Sequence, residues 1–252
     1  MPDKRGHRGP HPEDGRLFAR EWWEALRLGV RDLGWLLTRE YGIHGALKLV
    51  GDRYGLNERQ RLAVMRSACS DGSLAVRRGH EKAAEEVRGR VLMLDGYNVL
   101  TTVEAALGGG VLLRGRDGCL RDMASMHGHY KRVAETGPAL EFIGRSLAEL
   151  GVSGVQVLLD SPVSNSGRLK TMMRQMGEEA GWWGGVPWTI ELVQDPDPVL
   201  AMAKETVATA DSVILDGTRN PKDAGSPEWF NLAGYVVARH VAGATVVEMA
   251  EN

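Results

Sequence analysis

The sequence predicts an α/β protein, a doubly wound and mainly parallel five-stranded sheet preceded by a small helical module. Three observations carry that expectation. VLMLD at 91–95 and VQVLLD at 155–160 are continuous apolar runs bounded by turn signals, as strands buried on both faces require. From residue 91 onward such runs alternate with segments of helical periodicity, the pattern of βα units in a parallel sheet. Nothing in residues 16–70 reads as strand.

Residues 1–15 are rich in Gly, Pro, His and charge, which predicts a disordered arm, and residues 16–80 form the helical module. Phe18, Trp22, Leu26, Val30, Leu33 and Leu37 recur at spacings of three and four, an amphipathic stripe. A second helix runs from Ala46 to about Tyr54 and ends at Gly55. Asn57 can cap a third, whose Leu62, Met65 and Ala68 share a face. Asp71-Gly72 reads as a turn. The α/β domain spans 81–252 and opens with a polar helical lead-in at 81–90. After the strand at 91–95, a helix over 136–151 buries Leu140, Ile143, Leu147 and Leu150 and closes at Gly151. The strand at 155–160 follows, and Ser166 is a plausible N-cap for a helix from Gly167 to about Ala180. TIELV at 189–193 is a third strand, and a short helix around Pro198–Lys204 leads to a fourth, TVATAD at 206–211. A helix over 227–241 and a fifth strand, ATVVEM at 244–249, complete the sheet.

Bulk composition narrows the function classes. With 252 residues, 43% hydrophobic and 25% charged, the chain can build a proper core. Its formal net charge of −2 conceals an asymmetry: residues 1–90 carry 18 Lys+Arg against 13 Asp+Glu, and the remainder 13 against 20. The first part can attract a polyanion and the second cations, or both are solvated surfaces. Cys69 and Cys119 are the two cysteines, with no CxxC, which suits a reducing cytoplasm and argues against a zinc knuckle. There is no secretory signal pattern and no apolar run approaching the ~20 residues of a membrane span.

The chemistry lies at the strand ends. VLMLD ends on Asp95, VQVLLD on Asp160 and TVATAD on Asp211. In an open α/β sheet ligands bind beyond the carboxyl ends of the strands, so these acids should share a crevice. Carboxylates crowded there repel unless a cation lies between them, and hard oxygen ligands suit Mg²⁺ or Mn²⁺. Each acid also has a plainer reading. Asp95 opens Asp-Gly-Tyr-Asn, a possible turn, and Asp160 precedes Ser161-Pro162. Asn98 can ligate, orient a water or phosphate, or cap a helix. Ser164 and Ser166 can receive a phosphate at a helix start or serve as caps. Asp211 and Asp216 flank SVIL, and which of them lies at the site depends on whether TVATAD or SVILD is the strand. His127 and His129 with Tyr130 can act as general acid, phosphate contact or fold-stabilising groups. Arg121, Lys131 and Arg132 beside them suit phosphate. Trp182 and Trp183, in a Gly-rich loop, can stack bases or pack; Trp22 fits a core. The segment GGGVLLRGRDG at 108–118 is not a Walker loop and is either a hairpin insertion or a surface excursion.

LDGYN after a buried strand, with VLLD and ATAD at later strand ends, resembles the PIN/NYN-like nuclease superfamily over about residues 88–250. The whole chain is also similar to an uncharacterised prokaryotic family that joins a helical N-terminal region to a PIN-like domain. ALKLVGDRYGLNERQRLAV corresponds to the former; LDGYNVLTTVEAAL, RDMASMHGHY, LLDSPVSNSG and TADSVILD correspond to the latter. The resemblance implies Asp95, Asp160 and Asp211 as metal ligands, with Asp216 as an outer member. It also implies a further acid from a helix between the first two strands, for which Glu104, Asp117 and Asp122 compete and Asp122 is preferred. The expected function is a Mg²⁺- or Mn²⁺-dependent ribonuclease, a hydrolase in which Asn98, Ser164, Ser166, Arg121 and His127 contact substrate. The helical module would then bind the RNA backbone, a protein partner or a second copy. The rival is a non-catalytic PIN-like module that binds RNA or protein. A haloacid-dehalogenase-like phosphatase is disfavoured, because Tyr97 stands where its second aspartate is required.

Overall fold

The computed structural model describes residues 6–123, 130–181, 186–217 and 225–250. The N-terminal region is helical, with α1 (Asp14–Leu17), α2 (Arg20–Thr38), α3 (Ile43–Arg53), α4 (Glu58–Ser67) and α5 (Asp71–His80). Leu26, Val30 and Leu33 of α2 lie buried against Val50 of α3 and Ala63 and Val64 of α4, as the stripe requires. Trp22 packs at the margin of the same cluster. Asn57 caps α4 in a reciprocal box: its side chain accepts from the Gln60 N–H, and the Gln60 side chain accepts from the Asn57 N–H. Such caps contribute on the order of 1 kcal/mol.

Two readings of this region change. Asp71-Gly72 is the start of α5 rather than a turn, because Ser70 Oγ accepts from the Ser73 N–H at 3.0 Å and caps a helix. From Gly6 onward the expected disordered arm is packed down. Arg8 Nε lies 2.6 Å from Glu104, and Asp14, only 2% exposed, pairs with Arg59 at 2.5 and 2.9 Å. Of the arm's described charges, Arg8, Glu13 and Asp14 are taken up in ion pairs.

Residues 84–89 form turns, not the expected helical lead-in. The α/β part then runs β1 (Val91–Asp95), α6 (Gly96–Leu107), β2 (Leu112–Arg114), β3 (Leu120–Asp122), α7 (Thr136–Leu150), β4 (Gly154–Asp160), α8 (Ser166–Ala180) and β5 (Trp188–Val193). It continues through α9 (Pro196–Ala201), β6 (Thr206–Ala208), α10 (Ser212–Leu215) and α11 (Leu232–His240) to β7 (Val246–Glu248). The main sheet has four strands in the order β5-β4-β1-β6, every pair parallel. One face packs Leu94, Val157 and Leu159 against Leu100, Leu140, Ile143 and Val236 from α6, α7 and α11. On the other, Leu158 and Val207 meet Leu200 of α9 and Ile214 of α10. Helices on both faces explain why the strands read as unbroken apolar runs.

The expected fifth strand forms, but in another sheet. β7 pairs parallel with β2, which pairs antiparallel with β3, so GGGVLLRGRDG begins a hairpin. The reason lies at the free edge of β6. There the Val207 N–H donates to the Glu228 carbonyl and Val207 accepts from the Phe230 N–H, so residues 228–230 occupy the edge. For the same reason the helix expected from 227 starts only at Leu232, with Asn231 as its cap. The small sheet also joins the two regions: Leu113 of β2 and Val247 of β7 belong to the same buried cluster as Leu26 and Leu33. Among the described residues, no helix is long and apolar enough to cross a membrane.

Candidate functional site

β1 ends where α6 begins, so Asp95 both terminates a strand and caps a helix. Its Oδ1 accepts from the Asn98 N–H at 3.3 Å, and its Oδ2 accepts from the Thr209 hydroxyl at 2.9 Å. Glycine must follow it. A Cβ at Gly96 would stand 2.6 Å from Leu159 Cδ2 and 2.8 Å from the Leu158 carbonyl oxygen. β6 lies beside β1 and delivers Asp211, which caps α10 by accepting from the Val213 N–H at 2.7 Å. Asn98 accepts from the Ala210 N–H at 2.8 Å and ties α6 to that loop. β3 brings Asp122, whose Oδ2 lies 3.1 Å from the hydroxyls of both Thr101 and Thr102.

Asp95, Asp122, Asp197 and Asp211 line one cavity of about 440 Å³ at the carboxyl edge of the main sheet, together with Asn98 and Arg121. Burial pushes the Asp95 carboxyl up to about 7; Thr209 and the Asn98 amide oppose the rise, while the charges of Asp211 and Asp197 add to it. Asp197 is pushed up to about 6 by burial and then by Asp211, Asp195 and Asp160. These carboxylates disfavour one another's charge, and a bound cation would relieve that. Tyr97 lines the same cavity, and its buried hydroxyl lacks a hydrogen-bond partner among the described residues.

Of the three expected ligands, Asp95 and Asp211 share this cavity, and Asp160 does not line it. Asp160 stands at the end of β4, its carboxyl raised by burial and by Asp195. Asp216 is removed from the set: Arg77 Nε donates to it at 2.7 Å, and it lies beyond α10 because SVIL is a helix, not a strand. The three competitors for the extra acid separate clearly. Glu104 is fully buried among Arg8, Tyr130 and Thr136. Asp117 is gripped by Arg121 and Arg77, which hold its carboxyl far below the usual range despite its burial. Asp122 reaches the cavity, but from a strand rather than the expected helix.

Arg121 lines the cavity while committed to Asp117 and to the Ala210 carbonyl. Ser164 and Ser166 do not line it. Asn165 rather than Ser166 is the N-cap of α8, at φ 69°, and its Nδ2 donates to the Tyr130 carbonyl. Ser166, the first helical residue, donates to the Ser161 carbonyl at 3.5 Å. Lys131, Arg132 and Arg168 surround a second cavity of about 350 Å³ beside that cap. His127, His129, Trp182 and Trp183 lie outside the described residues. Sequence reasoning missed Asp197 and Thr209. The first was findable: the run Asp195-Pro196-Asp197 follows the third strand just as the other acids follow theirs.

Fold and cavity together define an α/β protein with a parallel sheet and an acid-lined cleft at its carboxyl edge. Residues 84–227 match the family described as Domain of unknown function (DUF5616), and the chain belongs to that family. Residues 25–80 match a second, described as Protein of unknown function (DUF434). The chain is 30% identical over 191 residues to an uncharacterised protein of Methanocaldococcus jannaschii, covering 76% of this chain and 89% of that protein. No solved structure matches.

Proposed function

We propose that this protein is a divalent-metal-dependent nuclease with a PIN-like α/β domain, hydrolysing phosphodiester bonds of RNA in the cytoplasm. The observation that carries the reading is the shared cavity of Asp95, Asp122, Asp197 and Asp211, in which burial and mutual repulsion hold two carboxyls near neutrality. The donor set fits a hard cation, which keeps several waters and takes one or two carboxylates. Asp95 and Asp211 would hold Mg²⁺ or Mn²⁺, with waters completing its shell and Asp197 beside them in the cavity. When bound, such an ion lowers the pKa of a water and stabilises charge on phosphorus. Thr209 and the Asn98 amide orient Asp95, and Asn98 in turn fixes the Ala210 turn that presents Asp211. The partnerless Tyr97 hydroxyl offers a proton to a substrate oxygen. Exposed Lys131, Arg132 and Arg168 around the second cavity offer further phosphate contacts to a polyanion.

The test is cleavage of a labelled single-stranded RNA by the full chain with Mn²⁺, with EDTA, and in Asp95→Asn and Asp211→Asn variants. Cleavage that needs Mn²⁺ and falls at least a hundredfold in both variants is expected, a loss ordinary for metal-centred chemistry. Metal-independent cleavage, or equal rates in the variants, rejects the reading.

One observation favours a second reading, a non-catalytic PIN-like module that binds RNA or a protein. Among the described residues, no three of His, Cys, Asp and Glu stand close enough to hold a metal ion. RNA retention by the full chain in EDTA, with no cleavage at any Mn²⁺ concentration, would select it.

A further inference from the structure

The cavity is not built by the α/β region alone. Arg66 belongs to α4, within the helical segment 25–80, yet it lines the acid cavity with Asp95 and Asp211 from the segment 84–227. Its Nη1 donates to the Asp122 carbonyl at 2.6 Å, which fixes the guanidinium at the cavity wall. The same side of the helical region is anchored again nearby: the Arg116 N–H donates to the Ser67 carbonyl and its Nη1 to the Cys69 carbonyl. Arg77 of α5 reaches across to Asp117 and Asp216. α4 is therefore held in register with β2 and β3, and Arg66 is delivered to a defined place.

We propose that Arg66 is a substrate-binding residue that takes a phosphate group, so that the two family segments make one composite site. A guanidinium is the side chain best matched to phosphate oxygens, and burial strengthens its hydrogen bonds. A second, independent observation points to the same ligand chemistry. Tyr97 lines this cavity too, and its hydroxyl, a buried donor with no acceptor among the described residues, would gain one from a phosphate oxygen. The assignment rests on the nuclease reading only for the identity of the ester, RNA. The capture of a phosphate group stands on Arg66 and Tyr97.

The experiment uses the full chain in EDTA, so that nothing is cleaved, with two probes: inorganic phosphate and a fluorescein-labelled single-stranded oligoribonucleotide. Arg66→Gln, Arg66→Lys and Tyr97→Phe are compared with the unaltered chain, each checked for an unchanged denaturation midpoint. Arg66→Gln should weaken both probes about tenfold, the scale of one charged hydrogen bond, and Arg66→Lys by less. A tether role for Arg66 would leave the salt dependence alone. Loss of one phosphate contact should instead lower the slope of log affinity against log salt by about 0.7 for a single strand. Should Arg66→Gln fail to fold, Arg66→Lys and Tyr97→Phe carry the same comparison. Affinities and slopes that do not change in the variants overturn the proposal even if Mn²⁺-dependent cleavage persists. Binding of phosphate but not RNA, lost in Arg66→Gln, sustains it and counts against the nuclease. No binding of either probe to the unaltered chain overturns it.

Discussion

Arg121 grips Asp117 with both terminal nitrogens of its guanidinium, Nη1 to Oδ1 at 2.8 Å and Nη2 to Oδ2 at 2.6 Å, in the buried seam between hairpin and main sheet. Arg77 from α5 closes on the same carboxylate at 2.6 Å, so two buried arginines share one aspartate, and Arg77 takes Asp216 as a second partner. Asp117→Asn should therefore cost about 3–5 kcal/mol, because it leaves buried charges uncompensated. Urea denaturation at pH 7 measures the loss. The pH dependence has a fixed sign. The folded-state pKa lies below the unfolded value, so Asp117 contributes its full stability above the ordinary carboxylate range and loses it as pH falls below about 4. The gap between the unaltered chain and Asp117→Asn should narrow on acidification. A gap that holds constant to pH 3 would remove the ion pairs as its cause.

Gly96 gives the clearest steric prediction. An added methyl would meet the Leu158 carbonyl at 2.8 Å, backbone that cannot rotate away, as well as Leu159 and Val157 side chains. Gly96→Ala should destabilise the protein by about 1–3 kcal/mol and displace Asp95. Thermal unfolding gives the first quantity. The second is read from Mn²⁺ affinity, which should fall along with stability; a variant as stable as the unaltered chain contradicts the crowding.

The sequence made β1 and β4 legible because both are buried on both faces and say so in five or more successive residues. It also placed acids at their ends, since a strand that stops at a ligand-facing edge must stop on something polar. What could not be read was edge ownership. β6 has three residues, and nothing local to TVATAD tells that Trp229 and its neighbours will take its outer side and send β7 to the hairpin. Asp216 stayed a candidate outer member beside Asp211 because the strand's end could not be read there. Its neutralising partner, Arg77, is 139 residues away in the chain. Long-range ion pairs decide which acids remain available, and periodicity carries no information about them.

Glu104 belongs to a different cluster, and its removal should reveal that. The carboxylate is completely buried and accepts from Arg8 Nε at 2.6 Å, the Tyr130 hydroxyl at 2.5 Å and the Thr136 hydroxyl at 2.6 Å. Glu104→Ala should cost roughly 3 kcal/mol and release the segment around Arg8. Limited trypsin digestion would then cut after Arg8 faster than in the unaltered chain, and mass spectrometry identifies the product. Cleavage at the same rate would mean that the arm is held by other contacts.

Cation uptake should be coupled to protons through Asp95. Its carboxyl is raised to about 7 by burial, with Asp211 and Asp197 adding to the effect, and a cation requires the ionised form. Between pH 6 and 8 a proton and Mn²⁺ therefore compete for the same oxygens. Affinity for Mn²⁺, followed by calorimetry, should climb as pH rises through 7 and level off above it. Protons should be released on binding, an effect visible as a buffer-dependent heat. Asp197→Asn removes one carboxylate of the cavity and one repelling charge together. It should weaken Mn²⁺ roughly tenfold, on the scale of a lost carboxylate beside the metal, and shift the rising limb to lower pH because Asp95 then ionises more easily. Weaker affinity with an unmoved limb would mean that Asp197 ligates without being electrostatically coupled to Asp95. An unmoved affinity and an unmoved limb would take Asp197 out of the site.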